Sequence, residues 1–135
     1  MTTSFGCHVI SEGLAEGEVL HSTDAICFYL VEPETGIVIE SGHALEGKSV
    51  AGKVLVFPVG KGSSVVQADG LFQLLKNGKA PSALITTSAD TTLVASAIIL
   101  EIAMCDRLDD SFYQTVRDGD IVRVDSESKT VELVS

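Results

Sequence analysis

The chain has 135 residues, 45% of them apolar and 21% charged, with a formal charge of −10. That balance excludes a disordered chain and removes the attraction on which nucleic-acid or anionic-membrane binding depends. Mean hydropathy is +0.33, yet apolar stretches such as Leu93 to Leu100 fall far short of the roughly 20 residues of a membrane span, so the surplus belongs to core or interface.

A single domain over 1–135 is expected, with a core large enough to need no disulfide or structural metal. The N-terminus lacks a basic stretch followed by an apolar one, so no secretory leader is expected and the location is read as cytoplasmic. Short strands broken by turns are predicted at Phe5 to Ile10, Glu16 to His21, Ala25 to Val31 and Ile37 to Glu40, with turn chemistry at Pro33-Glu34-Thr35-Gly36. Val54 to Phe57 is a continuous β-branched and apolar run, as in a strand covered on both faces. Next comes a helix over Val65 to Asn77, whose apolar face is read as Val65, Ala68, Leu71, Phe72 and Leu75 opposite Gln67, Gln73, Lys76 and Asn77. Gly78 and Pro81 end it.

Ser82 to Thr86 reads as a second buried strand. Asp90 caps a helix over Thr91 to Glu101 that carries no charge between its ends and is expected to be buried nearly all round. Ile102 to Cys105 is a short strand, Asp110 or Ser111 caps a helix through Arg117, and Ile121 to Val124 with Thr130 to Val134 form a closing hairpin. A β-rich N-terminal half followed by strand-helix units gives an α/β chain of sheet on sheet on helix.

Charge is uneven along this order. Residues 1–50 sum to −7 and 106–135 to −4, while 51–105 sum to +1. An anionic ligand would meet least repulsion at that centre. Cys7, Cys27 and Cys105 are odd in number, far apart in sequence and in apolar settings, as buried reduced thiols are.

Two loops invite a phosphate. Gly42-His-Ala-Leu-Glu-Gly47-Lys48-Ser49 matches G-x-x-x-x-G-K-[ST], but that chemistry requires a helix directly after the Ser, and here a strand follows. Pro58-Val-Gly60-Lys61-Gly62-Ser63-Ser64 has the context the first lacks, between the best buried strand and the best amphipathic helix. Gly60 and Gly62 permit close backbone approach, Ser63 or Ser64 can cap the helix, exposed amides favour an anion, and Lys61 adds a positive charge. The same residues also suit a capped turn with no chemistry. His8, His21 and His43 all lie far upstream and no G-x-S-x-G elbow is present, so a Ser-His-Asp hydrolase is unsupported.

These residues carry a resemblance. Gly47-Lys-Ser-Val-Ala-Gly-Lys-Val-Leu-Val-Phe-Pro58, Gly60-Lys-Gly-Ser-Ser64 and Lys76-Asn-Gly-Lys-Ala-Pro81 resemble the swivel-domain small subunit of the aconitase X family. The likeness continues through Gly13-x-Ala-Glu-Gly-Glu18, Glu34-Thr-Gly36, Ala97-Ile98-Ile99 and Asp118-Gly-Asp120, over most of the chain. It implies a swivelling β/β/α three-layer domain that serves as one part of a two-chain hydro-lyase, active with an aconitase-like large subunit that carries a [4Fe-4S] cluster. This chain itself would hold no metal. Family members dehydrate 5-phosphomevalonate or cis-3-hydroxyproline, and the G-K-G-S-[ST] and K-N-G-x-A-P stretches are closer to the first. By the same resemblance Ser63 is the proton acceptor, with Gly60, Lys61, Gly62 and Ser64 at the small anionic substrate.

The sequence departs from the family pattern at two places, the residues after Ser64 and the segment Tyr29 to Glu32. Val65 stands where the related aconitase loop has a carboxylate-holding arginine, Tyr29-Leu-Val-Glu32 replaces a Gly-Gly-(Val/Ile)-Asp segment, and Val65-Val66-Gln67 replaces a smaller continuation. A cis-3-hydroxy-L-proline dehydratase subunit and a non-catalytic swivel-fold interaction domain remain alternatives, as does cluster ligation by the three cysteines themselves.

Overall fold

The computed structural model describes residues 3–134. Met1 and Thr2, read above as the start of a leaderless N-terminus, and Ser135, the last residue of the expected domain, lie outside them. Eight strands form one sheet: β1 (Thr3–Gly6), β2 (His8–Ser11), β3 (Leu14–His21), β4 (Val54–Phe57), β5 (Ala83–Thr86), β6 (Ala103–Asp106), β7 (Ile121–Asp125) and β8 (Thr130–Leu133). Their order is β1-β8-β7-β3-β4-β5-β6-β2, so Cys7 alone joins strands at opposite ends of it. The sheet therefore folds over on itself. β3 makes the turn between layers: Leu14 to Glu18 pair antiparallel with β7, and Val19 to His21 pair parallel with β4. Gly17 sits at that crossing, where a Cβ would meet the Gly52 carbonyl oxygen at 2.5 Å.

β3, β4, β5 and β6 run parallel, and the period of two along β4 to β6 divides their side chains between two cores. Val54, Val56, Ala83, Ile85, Ala103 and Cys105 face the other sheet layer with Phe5, Val122, Val124 and Val131. Leu55, Phe57, Leu84 and Met104 face the helices with Leu71, Leu74, Leu93 and Ala97. This is the expected β/β/α arrangement. Helix α1 (Ser64–Lys76) follows β4 and α2 (Thr91–Ile99) follows β5, so both begin at the carboxyl edge of the parallel strands, while α3 (Asp110–Thr115) packs Phe112 edge-on against Phe5. Among the described residues no helix is long and apolar enough to cross a membrane.

Several expectations are corrected. Phe5 to Ile10 is two strands broken at Cys7. Ala25 to Val31 and Ile37 to Glu40 are not strands: Phe28–Leu30 is a 3-10 turn, and the region pairs only at single bridges, Ile26 with Gly60, Val31 with Val38, Val38 with Glu46 and Ile37 with Ser49. Their apolar residues are real core, since Ile26, Phe28, Val31 and Val38 are buried on the helix side, but they enter it from an irregular excursion rather than from a ladder. Gly42-to-Ser49 is a set of turns with no helix after it, and Ser49 Oγ donates to the Thr35 carbonyl. In α2, Ile98 and Ile99 are exposed rather than buried, and the helix stops at Ile99. α3 starts after Asp109, whose carboxylate accepts from Gly6 N–H instead of capping its own helix.

The largest correction concerns α1. Its buried face is Gln67, Gly70, Leu71 and Leu74, and of the expected apolar face only Leu71 is buried. Val65, Ala68, Phe72 and Leu75 form a solvent-facing stripe, Val65 at 76% exposure. Besides the side-chain packing of Leu71 and Leu74, α1 rests directly on backbone: a Cβ at Gly70 would run into the main chain of Phe28 and Tyr29. Close contact with backbone requires a glycine and a hydrogen-bonding side chain, the residue types an apolar periodicity assigns to solvent.

Candidate active site

The loop from Pro58 to Ser63 leaves β4 and enters α1 at Ser64. Ser63, with φ −72° and ψ 165°, is the N-cap; its Oγ accepts from Val66 N–H at 3.4 Å and its carbonyl from Gln67 N–H at 3.0 Å. The hydroxyl is exposed and lightly held. The N–H groups of Gly62, Ser63, Ser64 and Val65 have no partner among the described residues. Four unpartnered donors and the positive end of a 13-residue helix thus lie within two residues of one exposed hydroxyl, an arrangement that favours negative charge at Ser63 Oγ or beside it.

The rest of the loop is tied down. Gly60 N–H donates to Asp90 Oδ1 at 3.3 Å, and the other oxygen of Asp90 caps α2 by accepting from Leu93 N–H at 3.2 Å. Ile26 N–H donates to the Val59 carbonyl at 3.1 Å and Lys61 N–H to the Ile26 carbonyl at 3.0 Å. Gly62 has φ +112°, a region closed to most side chains, and a Cβ there would lie 3.3 Å from Cys27 Sγ. Both glycines are required, Gly62 by its dihedral and Gly60 by the space that Gln67, Asp90 and Leu93 leave it.

The sequence-derived set Gly60, Lys61, Gly62, Ser63 and Ser64 is therefore one contiguous loop with Ser63 at its open end. Lys61 is not a free cation: its Nζ pairs with Glu40 Oε2 at 2.5 Å. Glu40, Gln67, Asp90 and Cys27 are the neighbours that sequence reasoning missed as parts of the site. Asp90 was legible as a helix cap but not as a tie to Gly60, and the sole trace of Gln67 was the departure at Val65-Val66-Gln67. Among the described residues no histidine is hydrogen-bonded to the loop. His8 Nδ1 pairs with Asp106 at 2.8 Å, His43 Nε2 donates to the Ala25 carbonyl while its Nδ1 accepts from Leu45 N–H, and His21 is exposed at the end of β3. Surface clefts of about 570 and 630 Å³ occur elsewhere, and neither is lined by a residue of the loop. The Ser63 site is open ground.

The cysteines do not gather. Cys27 stands by Gly62, whereas Cys7 is neighboured by Cys105, a contact that lowers the pKa of Cys7 against the opposing effect of its burial. That contact, then burial, pushes Cys105 far above the ordinary thiol range. Cys105 is buried as expected, while Cys7 and Cys27 are only half-buried. Among the described residues no three His, Cys, Asp or Glu side chains are grouped as metal ligands, so the donor set does not fit an iron–sulfur cluster held by this chain's own cysteines.

Comparison with known proteins bears on the same fold. The phosphomevalonate dehydratase small subunit of Methanosarcina acetivorans is 48% identical over 126 residues, 93% of this chain and 87% of that protein. Its counterpart in Methanocella arvoryzae is 49% identical over 127 residues, 93% of this chain and 96% of that one. The crystal structure of Thermococcus kodakaraensis aconitase X, in its holo form, matches with a TM-score of 0.87 at 42% identity, covering 98% of this chain and 99% of that chain. A family model described as the aconitase X swivel domain matches residues 4–133. With sequence and fold in agreement across nearly its whole length, the chain belongs to the aconitase X swivel-domain family.

Proposed function

We propose that this chain is the small subunit of a cytoplasmic two-chain hydro-lyase that dehydrates (R)-5-phosphomevalonate to trans-anhydromevalonate 5-phosphate, with Ser63 as proton acceptor. The observation that carries the proposal is the exposed Ser63 hydroxyl at the N-cap of a long helix, in a stretch whose amides at residues 62–65 have no partner among the described residues. The substrate follows from the relatives, which are named phosphomevalonate dehydratase small subunits.

Dehydration removes a proton from one carbon and hydroxide from its neighbour. A neutral serine is a poor base, so Ser63 Oγ must react as an alkoxide, and its surroundings lower the cost of that state. The bond from Val66 N–H strengthens onto an anionic oxygen, and the helix dipole adds to it. The proton taken from substrate then resides on Ser63 Oγ until solvent removes it. The free amides of residues 62–65 also draw the substrate's own anionic groups, and Lys61 joins them by exchanging the Glu40 carboxylate for a carboxylate or phosphate of the substrate.

This chain supplies half of a site. The partner large subunit would cover the open loop and hold the [4Fe-4S] cluster, which when bound would supply Lewis-acid chemistry at the leaving hydroxyl. The stripe of Val65, Ala68, Phe72 and Leu75 begins two residues after Ser63, so a partner that closes over the serine buries apolar surface that is otherwise wet. Activity accordingly requires both chains.

The test is anaerobic co-expression with the large subunit, followed by dehydration assays on 5-phosphomevalonate and cis-3-hydroxy-L-proline. Turnover of the first and not the second is expected, with Ser63→Ala losing roughly 10²-fold or more in kcat. Preference for hydroxyproline overturns the substrate. Wild-type turnover by Ser63→Ala overturns the base.

A further inference from the structure

We infer that Gln67 is the positioning residue of the Ser63 loop, its buried carboxamide locking residues 26–28 beneath Gly60–Gly62 and so fixing where Ser63 Oγ and its amides point. The inference rests on the reading of Ser63 as proton acceptor and names the group that holds it in register.

Gln67 is fully buried, an uncommon place for a glutamine in the first turn of a helix whose outer stripe is apolar. Each end of its amide is used. Oε1 accepts from Phe28 N–H at 2.7 Å and Nε2 donates to the Ile26 carbonyl at 3.1 Å. The side chain thereby reads donor and acceptor of one short segment as a neighbouring strand would. The Ile26 carbonyl also accepts from Lys61 N–H, and Ile26 N–H donates to the Val59 carbonyl. One backbone oxygen is thus shared between the helix and the loop.

The contact is direct as well. Nε2 would lie 2.7 Å from a Cβ on Gly60, so the carboxamide packs against the bare Cα there, while Gln67 N–H holds the Ser63 carbonyl at 3.0 Å. Residue 67 touches the loop at Gly60 through its side chain, at Ser63 through its main chain, and at Lys61 through Ile26. Cys27, within the clamped segment, abuts Gly62. A leucine or methionine would fill the same volume but leave Phe28 N–H without its partner and Ile26 O without the helix. Core filling alone therefore does not account for an amide at this position.

The experiment uses the reconstituted two-chain complex carrying Gln67→Met, Gln67→Glu, Ser63→Ala, and Ser63→Ala combined with Gln67→Met. If Gln67 acts by placing Ser63, Gln67→Met lowers kcat roughly 10- to 100-fold with KM within about twofold, because a small misplacement of a reacting group costs that much. The combined variant is then no slower than Ser63→Ala alone. A purely structural role adds its loss on top of the serine's. Gln67→Glu gives a second readout: the carboxylate keeps the acceptor for Phe28 N–H but has no donor for the Ile26 carbonyl until it is protonated. Its kcat, relative to wild type, recovers as pH falls through the raised pKa of the buried acid.

Hydrogen exchange on the same complexes reads the clamp without chemistry. Loss of protection at the amides of Phe28 and Lys61, with those of β4 and β5 unchanged, is the expected result. Wild-type kcat in Gln67→Met, additive losses in the combined variant, or unchanged protection at Phe28 and Lys61 each overturn the inference. If Ser63→Ala proves fully active, the serine reading fails on its own, and the exchange result still decides whether Gln67 holds the loop.

Discussion

At the start of α2, Asp90 supplies its own anion: one carboxylate oxygen accepts from Leu93 N–H and the other from Gly60 N–H. At the start of α1, a few residues away across Gly60, the cap is a neutral serine that accepts one long bond, and the amides of residues 62–65 are left open. Both helices follow a parallel strand and begin at the same edge of the sheet. Their first turns face the same requirement, unpaired donors at a positive dipole end. α2 meets it with the full negative charge of its own cap, whereas α1 offers only a neutral hydroxyl where an anionic substrate can enter. The carboxylate that closes one helix also anchors the glycine that shapes the other.

Giving α1 the cap of α2 tests this contrast most severely. Ser63→Asp places a carboxylate on the free amides, which should stabilise the subunit by about 0.5 kcal/mol through the helix dipole. Dehydration should be lost altogether, because the same carboxylate repels an anionic substrate and removes the hydroxyl. Thermal unfolding and turnover measured on one preparation check both halves. A destabilised but active Ser63→Asp protein would mean that the open helix start is not the anion site.

The outer faces of the two helices sharpen the comparison next. Both expose apolar residues, Phe72 and Leu75 on α1, Ile98 and Ile99 on α2, but only the α1 stripe is continuous with the Ser63 loop. Phe72→Glu should weaken association with the large subunit by about tenfold, while Ile99→Glu stays within about twofold. Titration of one chain with the other distinguishes the faces. An equal loss from both would place the α2 end in the same interface.

How much of this was legible follows the same division. The strands from β4 onward and the hairpin of β7 and β8 could be read because a run such as Val54 to Phe57 is buried on both faces and can be little else. The loop was legible because Gly62 needs its dihedral, Gly60 its space and Ser63 its cap chemistry. The burial of α1 was not, because Gly70 and Gln67 pack against backbone, and apolar periodicity sees only packing against side chains. Residues 25–40 misled for the mirror reason: Ile26, Phe28, Val31 and Val38 have the burial of strand residues without a ladder to belong to. Lys61 looked free because Glu40, its partner, lies 21 residues away in that same irregular excursion.

Asp90→Ser converts the α2 start to the α1 kind. A serine can still cap α2, so the helix survives, but the reach to Gly60 N–H is lost. The expected cost is about 1 kcal/mol of stability, for a charge-assisted cap replaced by a neutral one and a part-buried amide left without its acceptor. Turnover should fall by no more than roughly tenfold, since Gln67 and Ile26 still hold the far side of the loop. Unfolding midpoints and kcat for Asp90→Ser, set against those of Gln67→Met, rank the two ties.

The smallest effect concerns the only charge that α1's loop carries. Lys61 is 44% exposed and Glu40 22%, so their pair contributes little to stability, on the order of 0 to 1 kcal/mol. Its influence falls on binding instead. While Glu40 occupies the ammonium, a substrate carboxylate or phosphate must displace it. Glu40→Gln keeps the side chain's shape, removes the competitor and leaves Lys61 free beside the open amides. KM for the anionic substrate should fall a few-fold with kcat unchanged, and Lys61→Met should raise KM without touching kcat. If KM is unchanged in both variants, Lys61 is an ornament of the Glu40 surface and the amides of residues 62–65, with the partner, hold the anion alone.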